Sequence, residues 1–289
     1  MIIAIASGKG GTGKTLLATG LARVASEEMA VQLLDCDVEE PNDHLFLAPE
    51  FTWAEEVTLP VPQILSEACT LCGRCVQVCQ FHALALVRGK VLLFPQLCHG
   101  CGLCARQCPA NAISEQLRRL GTVEGGEAMG GISFARGLLE VGQALATPVI
   151  RELKAQAGKR RQPGSLVILD APPGNACPVI ETMRGSDYVL LVTEPTPFGL
   201  HDLRLAVQTA RDQLGLPVGV VINRAGRGED EVTAYCQAEG LPILLRLPLD
   251  RRIASAYAEG ILWVDGLPEY REALRRLYSQ IAASVEVRP

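Results

Sequence analysis

The chemistry available to this chain is dominated by two cysteine runs, Cys69-x2-Cys72-x2-Cys75-x3-Cys79 and Cys98-x2-Cys101-x2-Cys104-x3-Cys108-Pro109. They match position for position at an offset of 29 residues, with Gly73 answering Gly102, Ala83 answering Ala112 and Leu84 facing Ile113. The run is therefore an internal repeat as well as a motif. Thiolates at this spacing hold a [4Fe-4S] cube, and the fourth cysteine of each run ligates the other cube. The spacing assigns Cys69, Cys72, Cys75 and Cys108 to cluster 1, and Cys98, Cys101, Cys104 and Cys79 to cluster 2. Gly73 and Gly102 let backbone pass close to an inorganic core that a Cβ would crowd. Zinc sites use two CxxC pairs, not four cysteines in one compact run repeated. Gln80 stands where proline commonly follows the fourth cysteine, while Pro109 is present in the second run, so the clusters should differ slightly in backbone and potential.

A second chemistry lies at the N-terminus. Gly8-Lys9-Gly10-Gly11-Thr12-Gly13-Lys14-Thr15 satisfies G-x4-G-K-[ST] between an apolar strand at 1–6 and a helical segment at 14–28. In that context successive backbone N–H groups converge on phosphate oxygens, and the helix N-terminus adds its positive dipole end. Lys14 should reach the β- and γ-phosphates of a nucleotide, and Thr15 should ligate Mg2+. Carboxylates at strand ends, Asp35 and Asp37 after 31–35 and Asp170 after 165–169, can hold metal-bound waters and position an attacking water.

Lys9, early in the loop, resembles the deviant Walker A lysine of the MinD/ParA/nitrogenase iron protein superfamily. The resemblance implies that Lys9 crosses a dimer interface to nucleotide bound by the partner subunit. Asp35-Cys36-Asp37, followed by Glu40-Pro41-Asn42, resembles that family's switch I, with Asp37 acting on the water and Asp35 in the metal shell. Asp170-Ala171-Pro172-Pro173-Gly174 looks like the Walker B aspartate running into switch II. Asp170 would then hold Mg2+ through water, and the Gly174 amide would sense the γ-phosphate. Asn223-Arg224 resembles the adenine-reading segment, and Leu247-Pro248-Leu249-Asp250 the segment that packs on the base. With Thr193-Glu194-Pro195-Thr196-Pro197-Phe198-Gly199, the resemblance covers essentially the whole chain. The combination is similar to a MinD superfamily P-loop ATPase carrying an inserted two-cluster bacterial ferredoxin domain.

The elements that must position these groups alternate. Strands are expected at 1–6, 31–35, 165–170, 188–193, 218–222 and 242–247, and helices at 14–28, 147–157, 200–214, 229–238 and 268–285. Continuous apolar strands between helices imply an α/β fold with a mostly parallel, doubly covered sheet. Its ligand sites belong at the carboxyl ends of the strands. Pro49, Pro60 and Pro62 make 43–61 read as a mixed connector. Residues 116–145, with Gly121, Gly125, Gly126, Gly130 and Gly131, read as short strands and turns. The expected organisation is a P-loop ATPase domain in two parts, 1–61 and 116–289, around an α+β ferredoxin-like insert at 62–115.

Net charge is −5 over 289 residues, which gives no support for a nucleic-acid footprint. No apolar run approaches about 18 residues, so no transmembrane segment is expected. Eleven cysteines with an N-terminus that reads as a buried strand favour a reducing, cytoplasmic compartment. Cys36, Cys177 and Cys236 stand outside the runs and read as core or switch-region cysteines. The C-terminal segment, with Arg271, Arg275 and Arg276 diluted by Glu269, Glu272 and Glu286, reads as a core-packing helix rather than a membrane helix. The expected cofactors are two [4Fe-4S] clusters, ATP or ADP, and Mg2+. The expected partners are a second subunit, as an ATP-dependent homodimer or a heterodimer with a related ATPase, and a redox or cofactor-client protein. ATP-gated electron transfer leads as the function. An iron–sulfur or metal-cofactor assembly ATPase of Mrp type is the alternative, and a positioning or partition ATPase with structural clusters is the third.

Overall fold

The computed structural model describes residues 1–226, 228 and 230–286. Its strands are β1 Ile2–Ala6, β2 Val31–Asp35, β3 Glu50–Ile64, β4 Leu84–Val87, β5 Lys90–Leu93, β6 Ile113–Ala128, β7 Ile132–Leu139, β8 Leu166–Asp170, β9 Tyr188–Thr193, β10 Val218–Ala225 and β11 Ile243–Pro248. Nine of them form one sheet in the order β11-β10-β9-β1-β8-β2-β7-β6-β3. Pairing is parallel from β11 through β7 and antiparallel from β7 to β6 and from β6 to β3.

The central strands are short and apolar on both faces, and alternation sends successive side chains to opposite layers. From β1, Ile3 and Ile5 pack with Leu17, Leu21, Trp263 and Leu277, under the helices Lys14–Ala25 and Arg271–Glu286. Ala4 and Ala6 face Val149, Leu153 and Leu203, under the helices Ala146–Lys159 and Pro197–Val207. The expected helix 200–214 instead runs to Val207 and continues as a π-helical turn, Gln208–Gln213. Of the expected helix 229–238, Asp230–Ala238 is helical and residue 229 lies outside the described residues.

The segments read as a connector and as short strands prove to be a long antiparallel ribbon. β3 and β6 pair continuously from Glu50 opposite Glu127 to Ile64 opposite Ile113. Pro60 and Pro62 do not break β3, because it is the outermost strand and spacing of two turns both missing N–H groups to its open side. The glycines of β6 mark close approach rather than turns. A Cβ on Gly125 would collide with the Trp53 ring, and one on Gly121 with the Leu138 carbonyl.

β7 supports only the Gly121–Ala128 half of β6. Beyond a bulge at Leu120, Thr58–Ile64 and Ile113–Arg119 leave the sheet as a two-stranded arm. Because Gly121 pairs with Leu139, at the end of β7, the arm rises from the carboxyl edge of the sheet. The boundaries expected at 61/62 and 115/116 fall inside β3 and β6. The arm carries the cysteine segment at its tip, and the two pack as one body. Ala83 and Cys98 share a hydrophobic cluster with Val57, Leu59, Val61 and Leu120, with Leu34 of β2, and with Cys36 and Val38 just beyond its end.

Candidate functional site

The carboxyl edge of the central strands opens into a cavity of about 430 Å3. Its floor is the loop between β1 and the helix Lys14–Ala25, with Gly10, Gly11, Gly13, Lys14 and Thr15 exposed to the cavity. Gly13 adopts φ +99°, and a Cβ there would collide with the Asn223 amide. That amide donates to the Thr12 carbonyl (2.7 Å), which ties the end of β10 to the loop. Gly8, Lys9 and Thr12 turn to the opposite side, against Asp202 and Thr193.

Burial lowers the pKa of Lys14, and the nearby charges of Asp170 and Asp37 oppose that shift. The Thr15 hydroxyl donates to Asp170 Oδ2 (2.7 Å). Asp37 lines the cavity, and burial raises its pKa. The Gly174 N–H donates to the Ser7 carbonyl (3.1 Å), so it must leave that bond to meet a phosphate. Pro248, Leu249, Ile253 and Tyr257 form an apolar wall opposite the loop.

Asp35 is committed to the local backbone. Its Oδ2 accepts the N–H groups of Asn42 (2.9 Å) and Asp43 (3.1 Å), and its Oδ1 accepts that of Asp37 (3.1 Å). This folds switch I over the strand end and brings in a residue the motifs did not single out. Asp35, Asp43 and Asp170 each offer an oxygen within 4.8 Å of the others, and all three are buried. Both carboxylate oxygens of Asp43 and Oδ1 of Asp170 have no hydrogen-bond partner. Burial first, then the neighbouring carboxylates, raise Asp35 and Asp43 well above the ordinary range. Burial brings Asp170 to about 6. Buried carboxylates with orphaned oxygens, next to a hydroxyl, are a hard donor set suited to a divalent cation such as Mg2+.

Lys9 is paired within its own chain. Its ammonium meets Glu194 Oε2 at 3.0 Å, and Arg224 pairs with the other oxygen of the same carboxylate.

The cysteines gather into two cavities at the tip of the arm. Cys69, Cys72, Cys75 and Cys108 line one, and Cys79, Cys98, Cys101 and Cys104 line the other. Each set draws three residues from one run and one from the other. Backbone N–H groups of Ala83 and Ala112 donate to Cys79 Sγ and Cys108 Sγ, both at 3.3 Å. Burial raises the thiol pKa of Cys75, and that of Cys104 to about 11, so each favours a cationic centre over an isolated thiolate. Gly100, at φ +64°, presses on Leu59 and the Pro60 carbonyl, seating the second run on the arm. The Phe81 and His99 rings stack beside that cavity at 3.8 Å. Cys36, Cys177 and Cys236 line neither cavity: Cys36 and Cys236 are buried in the core, and Cys177 is exposed at the start of the helix Cys177–Met183.

A model of the CobQ/CobB/MinD/ParA nucleotide binding domain matches residues 3–263. An uncharacterized protein of Methanocaldococcus jannaschii is 32% identical over 281 residues, covering 97% of this chain and 96% of that one. Among solved structures, the septum site-determining protein MinD of Pyrococcus horikoshii OT3, complexed with Mg-ADP, superposes with a TM-score of 0.58 at 19% identity, covering 97% of this chain and 95% of that chain. The cell division ATPase MinD of Pyrococcus furiosus gives 0.57 at 20% identity, with 98% of each chain covered. At these identities the superpositions speak for the fold alone. Among the described residues no helix is long and apolar enough to cross a membrane.

Proposed function

This chain belongs to the CobQ/CobB/MinD/ParA nucleotide-binding family of P-loop ATPases, and on that premise we propose an iron–sulfur ATPase in which nucleotide state gates electron transfer through two [4Fe-4S] clusters. The carrying observation is that both four-cysteine cavities stand on a ribbon rising from the sheet edge that holds the P-loop.

At the nucleotide, the loop amides and Lys14 hold the phosphates. Thr15, Asp170 and the paired carboxylates Asp35 and Asp43 hold Mg2+, directly or through water, and Asp37 positions the attacking water. Asn223, braced by the Thr12 carbonyl, and the wall of Pro248 and Tyr257 hold the base. In an ATP-bound dimer Lys9 must leave Glu194 to reach a partner's phosphate.

At the cysteines, the donor sets fit cubes: four sulfurs around each cavity, and amides directed at Cys79 and Cys108. Bound clusters supply one-electron storage. Four thiols converging on each cavity, with Cys75 and Cys98 buried, support resident redox clusters rather than a labile cargo site, and burial of Cys36 and Cys236 removes two thiols from any transfer site.

The test is to follow iron and electrons together during anaerobic ATP hydrolysis. About eight iron per chain should stay bound, while electrons pass from the dithionite-reduced protein, freed of excess dithionite, to an oxidised viologen acceptor faster with ATP than with ADP. Iron leaving for an apo-protein acceptor during turnover would instead support cofactor assembly. Zinc in place of iron would remove the cluster reading.

A further inference from the structure

We propose that the outer face of the β4–β5 hairpin, with the adjoining Cys69–Cys75 loop, is the docking surface for an acidic electron-carrier protein. The proposal rests on the reading that Cys69, Cys72, Cys75 and Cys108 hold a cluster, and it adds the chemistry of the partner.

Among the described residues the hairpin is a two-stranded sheet with no third strand. Its pairs are Leu84 with Leu93, Ala85 with Leu92, Leu86 with Val91 and Val87 with Lys90. Alternation sorts these into two faces. The inner face is used in part: Leu84 is buried and Val91 lines the cavity of Cys69, Cys72, Cys75 and Cys108, while Leu86, beside Gly73, is itself 43% exposed and extends the apolar surface around the edge of the hairpin. The outer face is open, with Val87 45% and Leu92 42% exposed. An isolated hairpin is marginal in water, and an uncovered apolar face on one is unusual without a partner.

Charge identifies that partner. Apart from the cysteines, the charged side chains of residues 65–112 are Arg74, Arg88, Lys90 and Arg106 against Glu67 alone; loaded clusters cancel that sum over the module, so what a partner would meet is the local rim of Arg74, Arg88 and Lys90. All four cations are exposed, and none forms an ion pair among the described residues. The contrast is with the C-terminal helix, where Arg271, Arg275 and Arg276 are all tied to carboxylates. Arg88 and Lys90 flank the hairpin turn, Arg74 lines the mouth of the adjacent cavity, and Cys72 is exposed there. An apolar centre with a polar rim is the usual anatomy of an interface, and a rim of one sign selects a partner of the other. A loaded cluster is itself anionic, so these cations also offset the repulsion an acidic carrier would meet near Cys72.

The experiment measures binding, not turnover. The anaerobically isolated protein, with its iron counted, is titrated with fluorescently labelled flavodoxin and plant-type ferredoxin as acidic probes and with cytochrome c as a basic control. At about 20 mM NaCl both acidic probes should bind, weakening about tenfold or more by about 200 mM. The Arg88→Glu/Lys90→Glu double variant and, separately, Val87→Asp should lose this binding while retaining iron and ATP hydrolysis. Absent binding of the acidic probes, unchanged binding by the variants, equal binding of cytochrome c, or preference for heparin or anionic vesicles would each overturn the proposal. A missing cluster shows in the iron count alone, which separates failure of the cluster reading from failure of the docking surface.

Discussion

Replacing Asp43 by asparagine should stabilise the metal-free protein, the opposite of what a polar substitution at a fully buried site usually does. Three buried carboxylates sit within 4.8 Å of one another, and neither oxygen of Asp43 has a hydrogen-bond partner. At that separation and an effective dielectric near 20, two full charges repel by about 3.5 kcal/mol. The trio shares protons, so relief from one substitution should be smaller than this, about 1–3 kcal/mol. The asparagine amide also becomes a donor for the orphaned Asp170 Oδ1.

The pH dependence follows from a folded-state value raised above the unfolded one. Folded Asp43 holds its proton to higher pH than in the unfolded chain, so the destabilisation is absent below about 3.8 and grows as pH rises from there through the raised folded value. At pH 8 in EDTA, anaerobic thermal scanning should place Asp43→Asn above wild type by roughly 5 °C. The gap should close at pH 4. Saturating Mg2+ should reverse the order, because the wild type gains binding free energy and the variant has lost a ligand. A variant less stable than wild type in EDTA at pH 8, or equal stabilisation of both by Mg2+, would refute the reasoning.

Glu194→Gln releases Lys9 from its pair within the chain, so ATP-dependent dimerisation seen by sedimentation should require less nucleotide than in wild type, while Lys9→Ala should lose it. Lys14→Ala should abolish nucleotide binding, and Asp37→Ala should keep binding but lose turnover, read by calorimetry and phosphate release. Cys108→Ala should reduce iron from about eight to about four per chain, with Cys236→Ala unchanged as the control.

Motifs whose chemistry depends on contiguous spacing were the easiest to read from sequence. The P-loop and the cysteine runs each place their donors within a few residues, so local pattern nearly determines local geometry. Asp43 escaped because 43–61 reads as a connector, in which a single aspartate belongs to no motif. It precedes the helix His44–Leu47, but its side chain makes no capping bond and turns inward to the carboxylates. A third aspartate within eight residues, after Asp35 and Asp37, was the available signal. The pairing of Lys9 with Glu194 joins residues 185 positions apart, and no spacing rule spans that distance. The ribbon was hidden by its own compensations. Proline is tolerated on the open side of an edge strand, and glycine in β6 admits Trp53, so both usual breakers sit inside regular pairing.

That ribbon changes how nucleotide state can reach the cysteines. A flexible connector after switch I would let the module drift independently of the phosphates. Instead the switch and the arm meet through the sheet edge. The Leu139 N–H donates to the Val38 carbonyl, one residue beyond Asp37, and the next N–H, of Glu140, donates to the Leu120 carbonyl at the bulge where the arm begins, both at 2.8 Å. Val38 and Leu120 are buried in the cluster that also takes in Leu59, Ala83 and Cys98, the last a thiol of the second cavity. Close-packed contacts of this kind move together rather than deform. A displacement of Val38 on γ-phosphate binding would therefore be delivered first to the cavity of Cys79, Cys98, Cys101 and Cys104. The cavity beneath the β4–β5 hairpin lies farther along the arm. On the proposed reading, the two cysteine sets would divide the work by position: one next to the switch, the other next to the proposed docking surface.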